Sequence, residues 1–178
     1  MGNEAGRPFF AGRPIEQIGI VVRNREQTLR SMTERWGGSR WVCYTYGPEM
    51  LSAQTFRGGA ATFRMRLALN DQTPQVELIE PVDGPSLYHE WLEQHGEGIH
   101  HVGFFVESIK ATMSEMEALG HPVLQSGLGS GLDGDGGFAY FDLTAELGVI
   151  VEAIERPARR RQPEAVWEPG AKGPSTAG

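Results

Sequence analysis

The sequence predicts an α+β protein made of two copies of one βαβββ module, and three observations predict it. First, residues 16–22 (EQIGIVV) recur as residues 100–106 (HHVGFFV), and residues 76–81 (VELIEP) recur as residues 151–155 (VEAIE) with Pro157 just beyond. Second, the stretch between these marks reads strand, helix, strand, strand, strand in both copies. Third, equivalent positions carry polar residues: Gln17 and Glu77 in the first copy, 60 residues apart, and His101 and Glu152 in the second, 51 apart. A unit of this length is too long for a solenoid repeat, and a duplicated module is the economical reading.

Residues 1–14 hold Gly, Pro and two Phe without periodicity and read as an extended arm. The first module spans 15–81. Its opening strand, 17–22, is apolar and β-branched, and Leu29, Met32 and Trp36 follow at helical spacing over 25–36 until Gly37 and Gly38 stop the helix. Residues 40–46 and 61–69 read as strands, the second with Phe63, Met65, Leu67 and Leu69 on one face and Arg64 and Arg66 on the other. Residues 75–80 close the module. A linker, 82–99, carries a short helix with Ser86 as its N-cap and Glu90 a turn later. The second module, 100–157, repeats the order: strand 101–106, helix 109–119 ended by Gly120, then strands 122–125, 138–143 and 148–154. The tail, 158–178, opens with Arg159, Arg160 and Arg161, turns to Pro, Gly and Ala with one Trp, and reads as flexible.

Composition limits the function. The chain has 178 residues, 39% of them hydrophobic, enough to bury a core, and no apolar run of membrane-spanning length. Its start lacks the basic flank and apolar core of a secretory signal, so cytoplasmic residence is expected. The lone Cys43 excludes an intrachain disulfide and a thiolate-cluster zinc site, and reads as a small buried hydrophobe. A net charge of −7 disfavours nucleic acid and anionic membranes. A small molecule is the expected partner.

Alternate residues of a strand share a face, so Gln17 points with Gly19 and Val21, His101 with Gly103 and Phe105, Glu77 with Ile79, and Glu152 with Ile154. Carboxylates on a buried sheet face are costly unless paired or metal-bound. Two carboxylates, an imidazole and an amide oxygen suit one divalent ion, Zn, Ni, Co, Mn or Fe(II), whose charge two Glu would neutralise. By the same alternation His100 faces away from His101 and is no ligand.

The motifs QIGIVV, VELIEP, GEGIHHVGF and GVIVEAIE resemble those of the vicinal oxygen chelate superfamily (glyoxalases, bleomycin resistance proteins, dioxygenases), within it the methylmalonyl-CoA epimerase branch, over about residues 15–157. The resemblance implies that the two modules form a curved, eight-stranded mixed sheet around a metal-binding cleft. It also implies Gln17, Glu77, His101 and Glu152 as ligands, and a homodimer. The Gln, Glu, His, Glu set is similar to that of zinc-type glyoxalase I enzymes, whereas the epimerases have His where Gln17 stands. The epimerases also place a second catalytic Glu about sixteen residues before the Glu77 position, where this chain has Gly59, Ala60 and Ala61; Glu49 lies too far back to replace it without a rearranged loop.

The chemistry so implied is abstraction of a proton α to a carbonyl through a metal-stabilised enolate or enediolate, by an isomerase or lyase. Glu152 is the expected base, by resemblance to glyoxalase I, and Glu77 the second choice. Tyr44, Met65, Phe105, Phe138 and Tyr140 are expected on the cleft wall, which suits a partly apolar substrate. The alternative is a non-catalytic, resistance-type binding protein on the same fold. A ring-cleaving dioxygenase needs two His and one carboxylate on iron and is disfavoured by Gln17. Gly129, Gly131 and Gly134 form a G-x-G-x-x-G that precedes a strand, not a helix, so the segment reads as a mobile loop rather than a phosphate cradle. Arg159 to Arg161 read as a solvated run, and Glu80 and Glu155 as strand ends in solvent or paired with Arg.

Overall fold

A computed structural model describes residues 12–35 and 38–176; most of the predicted arm, and Trp36 and Gly37 of the predicted helix stop, lie outside the described residues. The first module begins with β1 (Gln17–Val21) and α1 (Arg25–Arg35) and continues through β2 (Trp41–Tyr46), a hairpin of β3 (Ala53–Phe56) and β4 (Gly59–Ala60), β5 (Arg64–Asn70) and β6 (Gln75–Asp83). Helix α2 (Leu87–Gln94) links it to the second module. That module holds β7 (Gly98–Val106), α3 (Ile109–Ala118), β8 (Val123–Leu128), β9 (Gly137–Leu143), the one-turn α4 (Thr144–Leu147) and β10 (Val149–Glu155). Two short strands follow, β11 (Ala165–Trp167) and β12 (Ser175–Thr176). No helix among the described residues is long and apolar enough to cross a membrane.

The strands form one curved mixed sheet in the order β12-β11-β2-β5-β6-β1-β7-β10-β9-β8-β3-β4. Its centre is the β1–β7 antiparallel pair, and on either side the modules mirror each other: β1 runs parallel to β6, and β7 parallel to β10. Eight of the strands are those predicted. The other four were not, and they have one job in common, covering an edge. The β3–β4 hairpin leaves the first module to pair with β8, the outer strand of the second, while β11 pairs with β2, the outer strand of the first. Open edges invite intermolecular pairing, and each module's edge is closed in this way.

The pairing of β11 corrects the expectation of a flexible tail. Trp167 is 1% exposed and packs with Leu29, Trp41, Cys43 and Leu78 between α1 and the convex face of the first module. The second module repeats this layer with Phe104, Ile109, Met116 and Val151 under α3. A third cluster fills the concave side, where Tyr88 of α2 meets Phe63, Met65, Ile79 and Tyr140. Each such side chain contributes about 1.5–3 kcal/mol on burial, so the sheet is held from both faces.

The helix starts show the duplication in finer detail. Ser86 and Ser108 cap α2 and α3, accepting from the His89 and Ala111 N–H, and Asn24 accepts from the Gln27 N–H at the start of α1. Glu80, at the end region of β6, accepts the Arg25 N–H at 2.8 Å, and Glu155, at the end of β10, accepts the Ile109 N–H at 2.8 Å. These two carboxylates therefore hold the N-termini of α1 and α3, where the helix dipole favours negative charge. They are not simply solvated strand ends, although Glu80 also meets Arg66 at 2.9 Å.

Candidate metal centre and cleft

Four strands at the middle of the sheet bring together the four polar side chains singled out by the sequence. Gln17 (4% exposed) stands on β1, Glu77 (7%) on β6, His101 (0%) on β7 and Glu152 (3%) on β10. His101 Nε2 lies 2.9 Å from Glu152 Oε2 and 3.6 Å from Glu77 Oε2. One ligand atom from each of Glu77, His101 and Glu152 falls within 4.8 Å of the others. Gln17 Oε1, Glu77 Oε2, His101 Nε2 and Glu152 Oε2 are all buried without a hydrogen-bond partner.

That last fact tests whether the residues suit a metal. Burial pushes His101 down to about 3, so its ring is neutral at pH 7 and the contact with Glu152 is no ion pair. Nor does that contact have the alignment of a hydrogen bond. Burial, and then repulsion from Glu152, raises Glu77 well above the usual carboxylate range; burial pushes Glu152 up to about 8, against a hydrogen bond from Tyr140 that lowers it. Acceptor lone pairs facing one another in a dry site are stabilised by a shared cation. Ligands about 2.0–2.2 Å from a tetrahedral zinc-type ion stand roughly 3.3–3.6 Å apart, close to the His101–Glu77 spacing. The donor set fits a divalent ion.

Neighbours fix the orientation of two members. The Gln17 amide donates to Gln75 Oε1 at 3.0 Å, and the Gln75 amide donates to the Asn70 carbonyl at 2.9 Å, which leaves Gln17 Oε1 as the unpartnered end of its amide. His101 Nδ1 lies 3.0 Å from His100 Nδ1. Burial, followed by the His101 and His95 charges, pushes His100 down to about 2, so two neutral rings share one N–H. For His101 Nε2 to offer a lone pair, its Nδ1 must carry that proton and donate it to His100.

His100 thus corrects the strict-alternation reading. Gly19 pairs with His101, yet the next residue, Ile20, pairs with Ile99, which leaves His100 as the extra residue of a β-bulge. The bulge brings the two imidazoles together, ring centroids 5.3 Å apart, and His100 packs edge-on against Trp91 and Tyr140. The ring does not face away from His101.

Above these groups the concave face opens into a cleft of about 690 Å³ of free space, partly continuous with solvent. Tyr44, Met65, Phe105, Phe138 and Tyr140 all line it, as do Gln17, Glu77 and Glu152. Tyr140 is also part of the site itself. Its hydroxyl lies 2.9 Å from that of Tyr88, and the residue stands opposite Glu152 in the β9–β10 pair. The sequence marked Tyr88 only as one of many aromatic candidates for the cleft wall, and gave Gln75 no role. Nothing in the linker helix pattern separates Tyr88 from its aromatic neighbours, and Gln75 resembles any polar residue at a strand start. Glu49 points elsewhere, bound by Arg64 at 2.7 and 2.9 Å, and Gly59 and Ala60 lie exposed on the β3–β4 hairpin.

The sequence pattern of the Glyoxalase/Bleomycin resistance protein/Dioxygenase superfamily matches residues 16–141. A comparison with curated proteins finds no match. Among solved structures, a hypothetical protein from Bacillus halodurans aligns at 19% identity with a TM-score of 0.54, covering 85% of this chain and 99% of the other. Methylmalonyl-CoA epimerase from Mycobacterium tuberculosis aligns at 16% identity and TM-score 0.54, covering 80% and 87%. The Streptomyces coelicolor epimerase in complex with 2-nitronate-propionyl-CoA aligns at 21% and 0.54, covering 79% and 95%. At these identities the likeness is one of fold.

Proposed function

Because the chain belongs to the glyoxalase/bleomycin resistance protein/dioxygenase superfamily, we propose that it is a divalent-metal-dependent isomerase or lyase that removes a proton α to a carbonyl of a partly apolar small molecule. Gln17, Glu77, His101 and Glu152 would hold the ion. The observation that carries the reading is the convergence of partnerless ligand atoms of Glu77, His101 and Glu152, with Gln17, its Oε1 also partnerless, lining the same cleft. A bound divalent ion supplies Lewis acidity toward a carbonyl oxygen.

Glu152 is the base in this reading. It lines the cleft, burial raises its basicity, and Tyr140, held by Tyr88, stands opposite it in the β9–β10 pair. Met65, Phe105 and Phe138 exclude water from the apolar part of the substrate. The other cleft carboxylate besides Glu77 is Glu155, and both its oxygens accept backbone N–H groups, from Ile109 and Gly136. With Glu49 bound to Arg64, the arrangement supports a single base that takes and returns the proton over a two-base epimerisation. A homodimer belongs to the same reading, and sedimentation velocity checks it.

The test has two stages. Purified protein should contain or take up one Zn, Ni, Co, Mn or Fe(II) ion, and a Glu77→Ala, His101→Ala double variant should bind it far more weakly; equal affinity in the two proteins would defeat the proposal. Metal-loaded protein is then incubated in D₂O with a panel of acyl-CoA thioesters and α-hydroxycarbonyl compounds. Deuterium entering the α position, lost in Glu152→Gln, supports proton abstraction. Binding without exchange across the panel would favour the resistance-type alternative.

A further inference from the structure

The segment after β10 crosses the mouth of the cleft and is anchored on both modules. On the second module, the Ala158 N–H donates to Asp135 Oδ2 at 2.7 Å, the Leu132 N–H donates to the Arg159 carbonyl at 3.0 Å, and Arg159 pairs with Asp133. The glycine-rich loop is therefore the clamp for this segment. On the first module, the Glu164 N–H donates to the Cys43 carbonyl at 2.9 Å, the Glu164 carboxylate accepts from the Thr45 N–H and hydroxyl at 2.9 and 3.0 Å, and β11 follows on the edge of β2. Between the anchors only a few residues are spanned. Two of them are Arg160 and Arg161.

Both arginines line the same cleft as Gln17, Glu77 and Glu152, together with Arg156, whose guanidinium lies 4.3 Å over the Phe105 ring. Among the described residues no carboxylate stands within ion-pair distance of Arg156, Arg160 or Arg161, although Arg159 beside them has one. Arg161 Nε is buried without a hydrogen-bond partner. The Tyr44 hydroxyl donates to the Arg161 carbonyl, which ties the segment to the cleft wall that Tyr44 and Arg160 both line. In a chain of net charge −7, three unneutralised guanidiniums at one opening are an anion-binding arrangement.

We propose that residues 156–164 form a strap whose Arg160 and Arg161 bind an anionic group, a carboxylate or a phosphate, on the end of the substrate remote from the four-ligand floor. The substrate class is then a molecule with an oxygen-donor head at Gln17, Glu77, His101 and Glu152, an apolar body against Phe105 and Phe138, and an acidic tail at the strap. This rests on the metal-centred reading above.

The experiment uses the full chain, metal-free and loaded with Zn²⁺ or Ni²⁺, and three chelating probes: benzohydroxamate, 4-carboxybenzohydroxamate and 4-phosphonobenzohydroxamate, titrated calorimetrically. At least one charged probe should bind the loaded chain on the order of tenfold to a hundredfold tighter than the neutral one, the scale of charge-assisted hydrogen bonds. Which of the two gains more assigns carboxylate or phosphate. Arg160→Gln, Arg161→Gln should erase the preference while leaving the benzohydroxamate Kd unchanged, which shows the cleft intact; Arg160→Lys, Arg161→Lys should restore part of it. Charged probes that bind no tighter than benzohydroxamate, or a preference that survives the double Gln variant, would overturn the strap proposal and leave the metal site standing. If none of the probes prefers the loaded to the metal-free chain, the metal-centred reading falls, and this one with it.

Discussion

Replacing Gly19 by alanine, one methyl group, should abolish the metal site. Gly19 pairs with His101 across the central β1–β7 ladder, and its missing side chain is the space in which the imidazole stands. A Cβ at this position would lie 1.9 Å from His101 Cε1, 2.3 Å from Nε2 and 2.4 Å from Nδ1. Ordinary carbon contacts need about 3.5–4.0 Å, so the ring would have to retreat by roughly 1.5 Å. It has nowhere to go: it is fully buried, with the Tyr140 ring centroid at 4.9 Å and His100 Nδ1 at 3.0 Å. Overpacking of this kind costs about 1–3 kcal/mol, and a ligand shifted by more than about 0.2 Å no longer meets the ion correctly. The expected result is a drop in divalent-metal affinity of more than about 100-fold, beyond the range typical of lost supporting residues, with a lower Tm. Two other glycines on β7 make the comparison quantitative. At Gly103 an added Cβ meets Ile154 Cδ1 at 2.8 Å and Gln17 Cβ at 3.0 Å, predicting an intermediate loss; at Gly98 it meets nothing within 4 Å, predicting none. Calorimetric titration of the three alanine variants measures the order. Wild-type affinity in Gly19→Ala, or equal losses at Gly19 and Gly98, would refute the placement of His101 at the ion.

Other perturbations reach the same architecture from different sides. His100→Ala leaves His101 Nδ1 without its acceptor and should weaken metal binding by about 10–100-fold in a chelator competition, while unchanged affinity would deny His100 any orienting role. The metal-free chain should lose stability on both sides of a maximum. Glu152 is raised from 4.5 to about 8, so its contribution is full below about pH 4.5 and is lost as pH rises through about 8; His100 and His101 are held below 6.5, so theirs is lost as pH falls below that value. Saturating metal, or Glu152→Gln, should flatten the alkaline limb of a Tm-against-pH series, and a limb that persists in both would contradict the assignment. Trp167→Ala should cost about 3–5 kcal/mol in urea unfolding, as for any fully buried aromatic, whereas a flexible tail predicts no change.

Much of the fold was legible because duplication states each element twice. The eight module strands, α1 and α3, and the Gln17, Glu77, His101, Glu152 set follow from patterns within one strand or one helix, compared between copies, and α2 from its own N-cap at Ser86. The edge strands were not legible for a physical reason: a three- or four-residue strand has little preference of its own, and its partner lies far off in sequence. Thr55 pairs with Ser126, and Val166 with Val42, so the fate of either segment is set by an edge that exists only once the modules have folded. The same holds for Arg160 and Arg161, whose pattern is that of a solvated run and whose position is fixed by anchors at Asp135 and Cys43.

His100 shows how one irregularity changes what a sequence can be made to say. Period-two alternation assigns neighbours in a strand to opposite faces, and applied to β7 it separates His100 from His101. The Gly19 site breaks that rule. Since the His101 ring occupies the space above Gly19, the β7 backbone must present His101 squarely to β1 there and then accommodate one more residue before regaining register at Ile99. The bulge places a second imidazole where a metal-binding histidine needs an acceptor for its remote nitrogen. In the first module the corresponding task falls to Gln75, one residue after cis-linked Pro74, which accepts from the Gln17 amide across the parallel β1–β6 pair. The two copies therefore share their ligand positions and helix-start carboxylates but not the groups that orient the ligands. The first kind of residue is written twice in the sequence, whereas the second is set by packing particular to each copy.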